Sequence, residues 1–301
     1  MLLPLASCSE DDQFKGELYK KVIYLLSDDD FTFKTEHALG GESTGYVTVY
    51  CGGTEHIGKD VHVVLEQNDS MFREYNRLNY DLDTARFAHL LTPDHFSIDS
   101  YDVLLKASSS DNYSLMPIRV NPDGLSPDST YMIGLRIKSV SDFETNPLKR
   151  DVLYTVVLKN DYATMASTTY YQMTGVESTA LSSGEVSSGI SVTRIMAPLA
   201  KNQVRFFAGT NSYNPTTVSK AEINRRAVVV TVNADNSLTI SPYADIEVEQ
   251  IDDPESNYLS VDNRGRYVFH MHYRYKDTVT VSGKTETCWI TMTETCVQRA
   301  D

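Results

Sequence analysis

The sequence predicts an all-β chain made of two successive antiparallel domains, and three features carry that prediction. Short runs of β-branched and aromatic residues recur along the whole chain, separated by clusters of Gly, Pro, Asn, Asp and Ser. The clearest runs alternate apolar and polar residues, which is the period of a strand with one buried face. At 301 residues, 41% of them hydrophobic, the chain is longer than most single domains and apolar enough for more than one core.

Residues 1–17 read as a lipobox and an acidic tether. Leu5-Ala6-Ser7-Cys8 sets a short apolar residue and two small ones before a cysteine, the pattern of a cleavage site followed by an acylated Cys8. Acyl chains there would hold the protein to a bilayer with ~0.8 kcal/mol per buried CH₂. The stretch before Cys8 is too short for a charged n-region and an apolar h-region, so a start upstream of Met1 is expected. No apolar run approaches the ~20 residues that a spanning helix needs, which leaves Cys8 as the point of attachment. The competing reading of Cys8 is an incidental cysteine.

Residues 18–161 read as the first domain. Strands are expected at 19–26, 45–50, 61–65, 95–106, 113–120, 131–140 and 152–159, with Asn121-Pro122-Asp123-Gly124 as a turn. That number and spacing fit a β-sandwich of immunoglobulin type. Tyr131, Ile133, Leu135 and Ile137 share one face, while Arg136 and Lys138 share the other. A short helix is expected over 69–78, capped by Asp69, with Met71, Phe72 and Tyr75 on its apolar side.

Residues 162–301 read as the second domain. Ser, Thr, Gly and Tyr dominate 161–190, which reads as a boundary near 161–168 followed by irregular lead-in sequence. Strands follow at 190–196, 203–208, 226–232, 237–241, 245–250, 258–261, 267–275 and 284–297, with turns at 233–236 and 262–265. Their order predicts an antiparallel up-and-down β-barrel or a curled sandwich.

The first half resembles the N-terminal Ig-like domain of Bacteroidetes outer-membrane lipoproteins from polysaccharide-utilisation loci. The resemblance rests on Val22-Ile23-Tyr24-Leu25, Asp60-Val61-His62-Val63-Val64-Leu65, Tyr75-Asn76, the extended stretch 97–105 and Leu115-Met116-Pro117-Ile118. The second half is similar to the calycin-like C-terminal domain of such proteins, through Val204-Arg205-Phe206-Phe207-Ala208-Gly209 and residues 267–277. Ser9-Glu10-Asp11-Asp12 resembles the acidic signal that sends such lipoproteins to the outer face of the outer membrane. The resemblance implies class and location; it brings no catalytic motif.

Charge narrows the partners. With 41 acidic and 27 basic residues the net charge is −14, which repels phosphate backbones and makes nucleic acid a poor partner. The 19 tyrosines fit half-buried strands first and a glycan surface second. Cys288 and Cys296 lie in one expected strand, about 26 Å apart at ~3.3 Å per residue, so buried thiols are expected rather than a disulfide.

The candidate chemistry lies in the last two strands. Thr285, Thr287, Trp289, Thr291, Thr293 and Thr295 fall on one face, with Cys288, Ile290, Met292 and Cys296 on the other, despite Glu286 and Glu294. Trp289, the sole tryptophan, is then either a sugar platform among hydroxyls or a ring packed inside a barrel or under a loop. Tyr267, Phe269, Met271, Tyr273 and Tyr275 read as core. His270 and His272 share the opposite face with Arg274, whose charge opposes a cation, so a solvated polar face is expected and no metal site or cofactor. The acidic loop 251–257 lacks the ligand spacing of a calcium loop. No Gly-x-Ser-x-Gly, His-Glu-x-x-His or phosphate-binding loop is present, so no enzyme activity is expected.

The expectation is therefore a lipid-anchored, cell-surface protein of the outer membrane. It would bind a polysaccharide or oligosaccharide without covalent chemistry and hold it near an outer-membrane import complex. Candidate contacts are Trp289, Tyr213, Tyr243 and Tyr258. The alternative is a structural or protein-interaction lipoprotein subunit without a sugar site.

Overall fold

In the computed structural model, residues 20–299 are described apart from 54, 212 and 214–217. Cys8 and the tether lie outside the described residues. The described chain divides into two compact units: residues 20–35, Ser43–Asn121 and Ser129–Val156 form the first, and Glu36–Glu42, Pro122–Asp128 and residues 157–299 the second. Among the described residues no helix is long and apolar enough to cross a membrane.

The first unit contains strand β1 (Val22–Leu25), the start of β2 (Thr32–Ala38, which ends in the second unit), β3 (Ser43–Gly52) and β4 (Val61–Gln67), then helix α1 (Ser70–Tyr80). It continues with β5 (His89–Leu90), β6 (Phe96–Ser97), β7 (Asp102–Leu105), β8 (Tyr113–Val120), β9 (Tyr131–Val140), β10 (Glu144–Thr145) and most of β11 (Asp151–Lys159, which ends in the second unit). One sheet runs β10-β1-β3-β8-β6 and the other β2-β11-β9-β4-β7, with β5 beside β9. This is the expected sandwich: alternate residues such as Ile23, Val47, Val49, Val63, Leu65, Met116 and Ile118 are buried.

Three expectations are corrected here. Strand β2 is additional to the expected strands: Lys34 and Glu36 dilute its apolar signal, although Thr32 and His37 are buried. The expected strand over 95–106 is two, β6 in one sheet and β7 in the other. Between them Asp99 is held by Arg119 (Nη1 to Oδ2 2.6 Å) and the Ser100 hydroxyl accepts from Asp102 N at 3.1 Å, so the chain turns and changes sheets. Asp69 sits at the start of α1, but its side chain makes no capping bond. Asn68 Oδ1 instead accepts from Ser70 N at 3.0 Å.

Helix α1 covers the outer face of β9 and β11. Met71, Phe72 and Tyr75 pack on Ala88, Met132 and Leu153, as their helical spacing predicts. That cover buries Leu153, on the face of β11 turned to the helix. Asn76, buried at 4%, accepts from Ala88 N at 2.8 Å and donates to Ala88 O at 3.1 Å, which satisfies an isolated stretch of backbone.

The second unit contains β12 (Thr169–Leu181), β13 (Gly184–Ala200), β14 (Gln203–Phe207), α2 (Lys220–Arg226), β15 (Ala227–Val232) and β16 (Leu238–Pro242). Strands β17 (Val248–Gln250), β18 (Tyr258–Val261), β19 (Tyr267–Val281) and β20 (Lys284–Gln298) complete it. The sheet order β16-β15-β14-β13-β12-β20-β19-β17 is an up-and-down meander whose first and last strands pair as β12–β20. The sheet curls until its two edges meet. Ile240 N donates to Gln250 Oε1 at 2.8 Å, and Leu238 N to Asn257 O at 2.8 Å, closing most of a barrel.

The core follows the predicted alternation. Phe269, Met271, Tyr273 and Tyr275 face inward with Cys288, Ile290, Met292 and Cys296. Cys51, Cys288 and Cys296 are buried. The region 161–190, expected to be irregular, is instead largely the β12–β13 hairpin. Its strands have 13 and 17 residues, and residues 184–189 are exposed on both faces. A strand that buries neither face needs no apolar alternation, so the pattern that marks the other strands is missing there.

Candidate functional site

The outer face of β18, β19 and β20 and the seam that closes the barrel bring together a row of charged, imidazole and hydroxyl side chains. Alternation places His270, His272, Arg274 and Lys276 outward on β19, opposite the inward aromatic stripe. The turn before β19 is held by Asp262, whose carboxylate accepts from Arg264 N (2.9 Å), Arg266 N (3.0 Å) and Arg266 Nε (2.8 Å). Those bonds, the Arg266 amide first, bring Asp262 down to about 2.

His270, His272, Arg274 and Lys276 each meet a partner from the preceding segment. Tyr258 lies flat on His270, with ring centroids 4.2 Å apart and planes at 16°. The imidazole nitrogens reach Ser260 Oγ (3.1 Å) and Thr295 Oγ1 (3.4 Å), and burial lowers the His270 pKa. His272 Nδ1 is 3.2 Å from Asp253 Oδ2. Arg274 Nε pairs with Glu249 at 2.7 Å, and Lys276 with Glu247 at 2.6 Å.

At the seam, Asn233, Ser237, Leu238, Thr239, Gln250, Asp252, Asp253, Pro254, Ser256 and Asn257 line an open groove of about 500 Å³. Asn257 fixes its floor. Buried and at φ +59°, it donates to Ile251 O (2.8 Å) and accepts from His272 N (2.9 Å), tying the 251–257 loop to β19. Asp253 accepts from Glu255 N (3.0 Å) and Ser256 Oγ (3.1 Å), and these bonds, the Glu255 amide first, hold its carboxyl below the ordinary range. Tyr258, the next residue after Asn257, remains 39% exposed.

The four aromatic candidates do not form one surface. Trp289 lies on the threonine-bearing outer face, half-buried, with Arg274 4.5 Å and Lys276 5.0 Å from its ring centroid. Tyr213 and Tyr243 flank a different cation: Arg205, 6.0 and 4.8 Å from their ring centroids. Arg205 is 2% exposed and donates to Asp128 at 2.7 Å, while the Tyr213 hydroxyl lies 3.3 Å from the same carboxylate. In that cluster Arg205, Asp128 and the Tyr213 hydroxyl are committed to one another. Of the four, Tyr258 is joined to the groove through its backbone: it follows Asn257 and bridges Ser237, both of which line it.

The sequence places Asn233 in a turn, Gln250 at a strand end and Asp252 in an acidic loop, and does not bring the three together. The acidic loop was visible, but the strand it folds against comes from β16, and no local pattern announces that pairing. Among the described residues no cluster of three His, Cys, Asp or Glu is arranged to hold a metal ion.

Two family models cover nearly the whole chain: one described as an N-terminal domain matches residues 19–144, and one described as C-terminal matches residues 150–296. No curated protein matches the sequence. Three solved Bacteroides structures share the two-domain fold. A multidomain protein including DUF1735 from Bacteroides ovatus is 15% identical, with 92% of this chain and 94% of that chain covered and a TM-score of 0.63. A second Bacteroides ovatus protein, of unknown function, is 15% identical over 96% and 94%, with a TM-score of 0.60. A protein described as an auxiliary nutrient binding protein, from Bacteroides thetaiotaomicron, is 13% identical over 91% and 94%, with a TM-score of 0.59.

Proposed function

We propose that this two-domain all-β chain is a cell-surface lipoprotein of the outer membrane, anchored through Cys8, that captures a glycan non-covalently for import. The observation that carries the capture reading is the open, polar groove of about 500 Å³, whose lining residue Asn257 is followed directly by the exposed Tyr258. Its volume lies in the ordinary range of small-ligand sites. A ring lying flat on His270 has one face against the protein and its other face available to the C–H side of a pyranose, while the groove supplies hydrogen-bonding groups for the hydroxyls. The shared fold with a protein described as nutrient binding is consistent with this role. Binding is weak per site, because an open groove buries little area, and display of many copies on a surface compensates.

Native electrophoresis of residues 9–301 through gels cast with a panel of polysaccharides tests the reading. Retardation by at least one glycan is expected, with Tyr258→Ala reducing affinity at least about tenfold, the scale of one lost stacking contact. Trp289→Ala is expected to have the smaller effect, since Arg274 and Lys276 already occupy its ring. Retardation equal in wild type and Tyr258→Ala would move the site elsewhere. The anchor is tested in the full-length protein: Cys8→Ser is expected to release it from the membrane fraction.

The rival reading is a protein-interaction subunit. It is favoured by the β12–β13 hairpin, whose tip is exposed on both faces with Val186 56% exposed. An absence of retardation across the panel would favour it.

A further inference from the structure

The groove's chemistry goes beyond capture to the class of glycan. We propose that it selects neutral, hydroxyl-rich glycans and turns away acidic ones, and that Asp252 sets this choice; the inference rests on the capture reading above.

The lining carries two carboxylates, Asp252 and Asp253, and neither lysine nor arginine. Their availability differs. Asp253 is committed to Glu255 N, Ser256 Oγ and His272. Asp252 is exposed and makes no hydrogen bond or ion pair with another described residue. Gln250 has spent its carbonyl oxygen on Ile240 N at 2.8 Å, which leaves both N–H groups of its amide to the groove. The site therefore offers an uncommitted anionic acceptor and an uncommitted neutral donor.

Sugar hydroxyls are matched to that pair. Each hydroxyl donates and accepts, so neighbouring hydroxyls on one ring donate to Asp252 and accept from Gln250. The bond to Asp252 is the stronger, because its acceptor is charged. A uronate or sulfate ester meets the reverse situation. It brings an acceptor without a proton to two carboxylates, with no lining cation to pair it, and the chain's net charge of −14 adds to the repulsion.

Affinity electrophoresis of residues 9–301 in two sets of gels tests the assignment. Mannan, xylan, mixed-linkage β-glucan and galactan are the neutral probes; polygalacturonate, alginate and chondroitin sulfate are the acidic ones. Dissociation constants come from a concentration series for wild type and Asp252→Asn, an exposed substitution that leaves the core untouched. At least one neutral polymer should retard the wild type, Asp252→Asn should bind it about tenfold or more weakly, and the acidic polymers should retard neither protein. Retardation by a neutral polymer that Asp252→Asn leaves unchanged overturns the role of Asp252 while capture stands. Retardation of the wild type by an acidic polymer overturns the selectivity, again leaving capture intact. Retardation by no polymer overturns capture and, with it, this inference.

Discussion

Replacing Glu294 by alanine is expected to cost about 3–5 kcal/mol of folding stability, because it breaks a buried ion pair. Glu294 is fully buried inside the barrel and pairs with Arg194, whose side chain is 4% exposed. The pair is bidentate: Arg194 Nη1 and Nη2 both reach the carboxylate, the second at 3.0 Å. Arg194 also donates to Gly209 O at 2.8 Å and lies 4.1 Å from the Phe206 ring centroid, so one guanidinium joins β13, β14, β20 and the chain after β14. Burial works against its charge, and the Glu294 carboxylate more than offsets this, leaving the Arg194 pKa raised. Removing the carboxylate alone strands that cation in the core. Removing both charges, as in Arg194→Met with Glu294→Leu, should recover most of the loss, since two desolvated ions give way to apolar groups of similar size. Urea unfolding of the two single variants and the double variant measures this. A Glu294→Ala cost under about 1 kcal/mol would mean that water reaches the pair.

Gly175→Ala should be equally damaging, for a steric reason. Gly175 lies in β12 opposite Glu294 with φ +156°, and an added Cβ would stand 2.0 Å from Thr293 O and 2.8 Å from the Glu294 Cα. Both obstacles are backbone, so no flexible side chain can yield and the β12–β20 pairing must open. The strained backbone and the overlap together are expected to cost more than about 3 kcal/mol. Gly189→Ala is the control. It lies in β13, in the same hairpin, with nothing within 4 Å of its added Cβ, and should change stability by less than about 0.5 kcal/mol. Thermal melts of the two variants separate the readings: equal, small shifts would show that β12 and β20 part easily.

Much of the architecture was written into local alternation. The stripe from Tyr267 to Tyr275 and the even positions from 288 to 296 specify inward faces because a strand turns its side chains by 180° per residue. The turns at 233–236 and 262–265 were legible for a similar reason: Asn236 takes φ +64° and Gly265 φ +78°, conformations that Asn and Gly accept with little strain. Glu294 was visible as an anomaly on an apolar face, without its partner. Arg194 lies 100 residues away in sequence, and no local period links them.

By itself, then, the sequence determined the all-β class, the inward faces, the short helix and the buried thiols, each of which depends on neighbours within a few positions. Tertiary structure decided the rest. It gathered Tyr213 and Tyr243 around Arg205 and away from Tyr258. It set Trp289 beneath two cations, and it formed the groove where the barrel's edges meet. These features depend on which strands become neighbours, and closing a curled sheet joins residues that no periodicity relates.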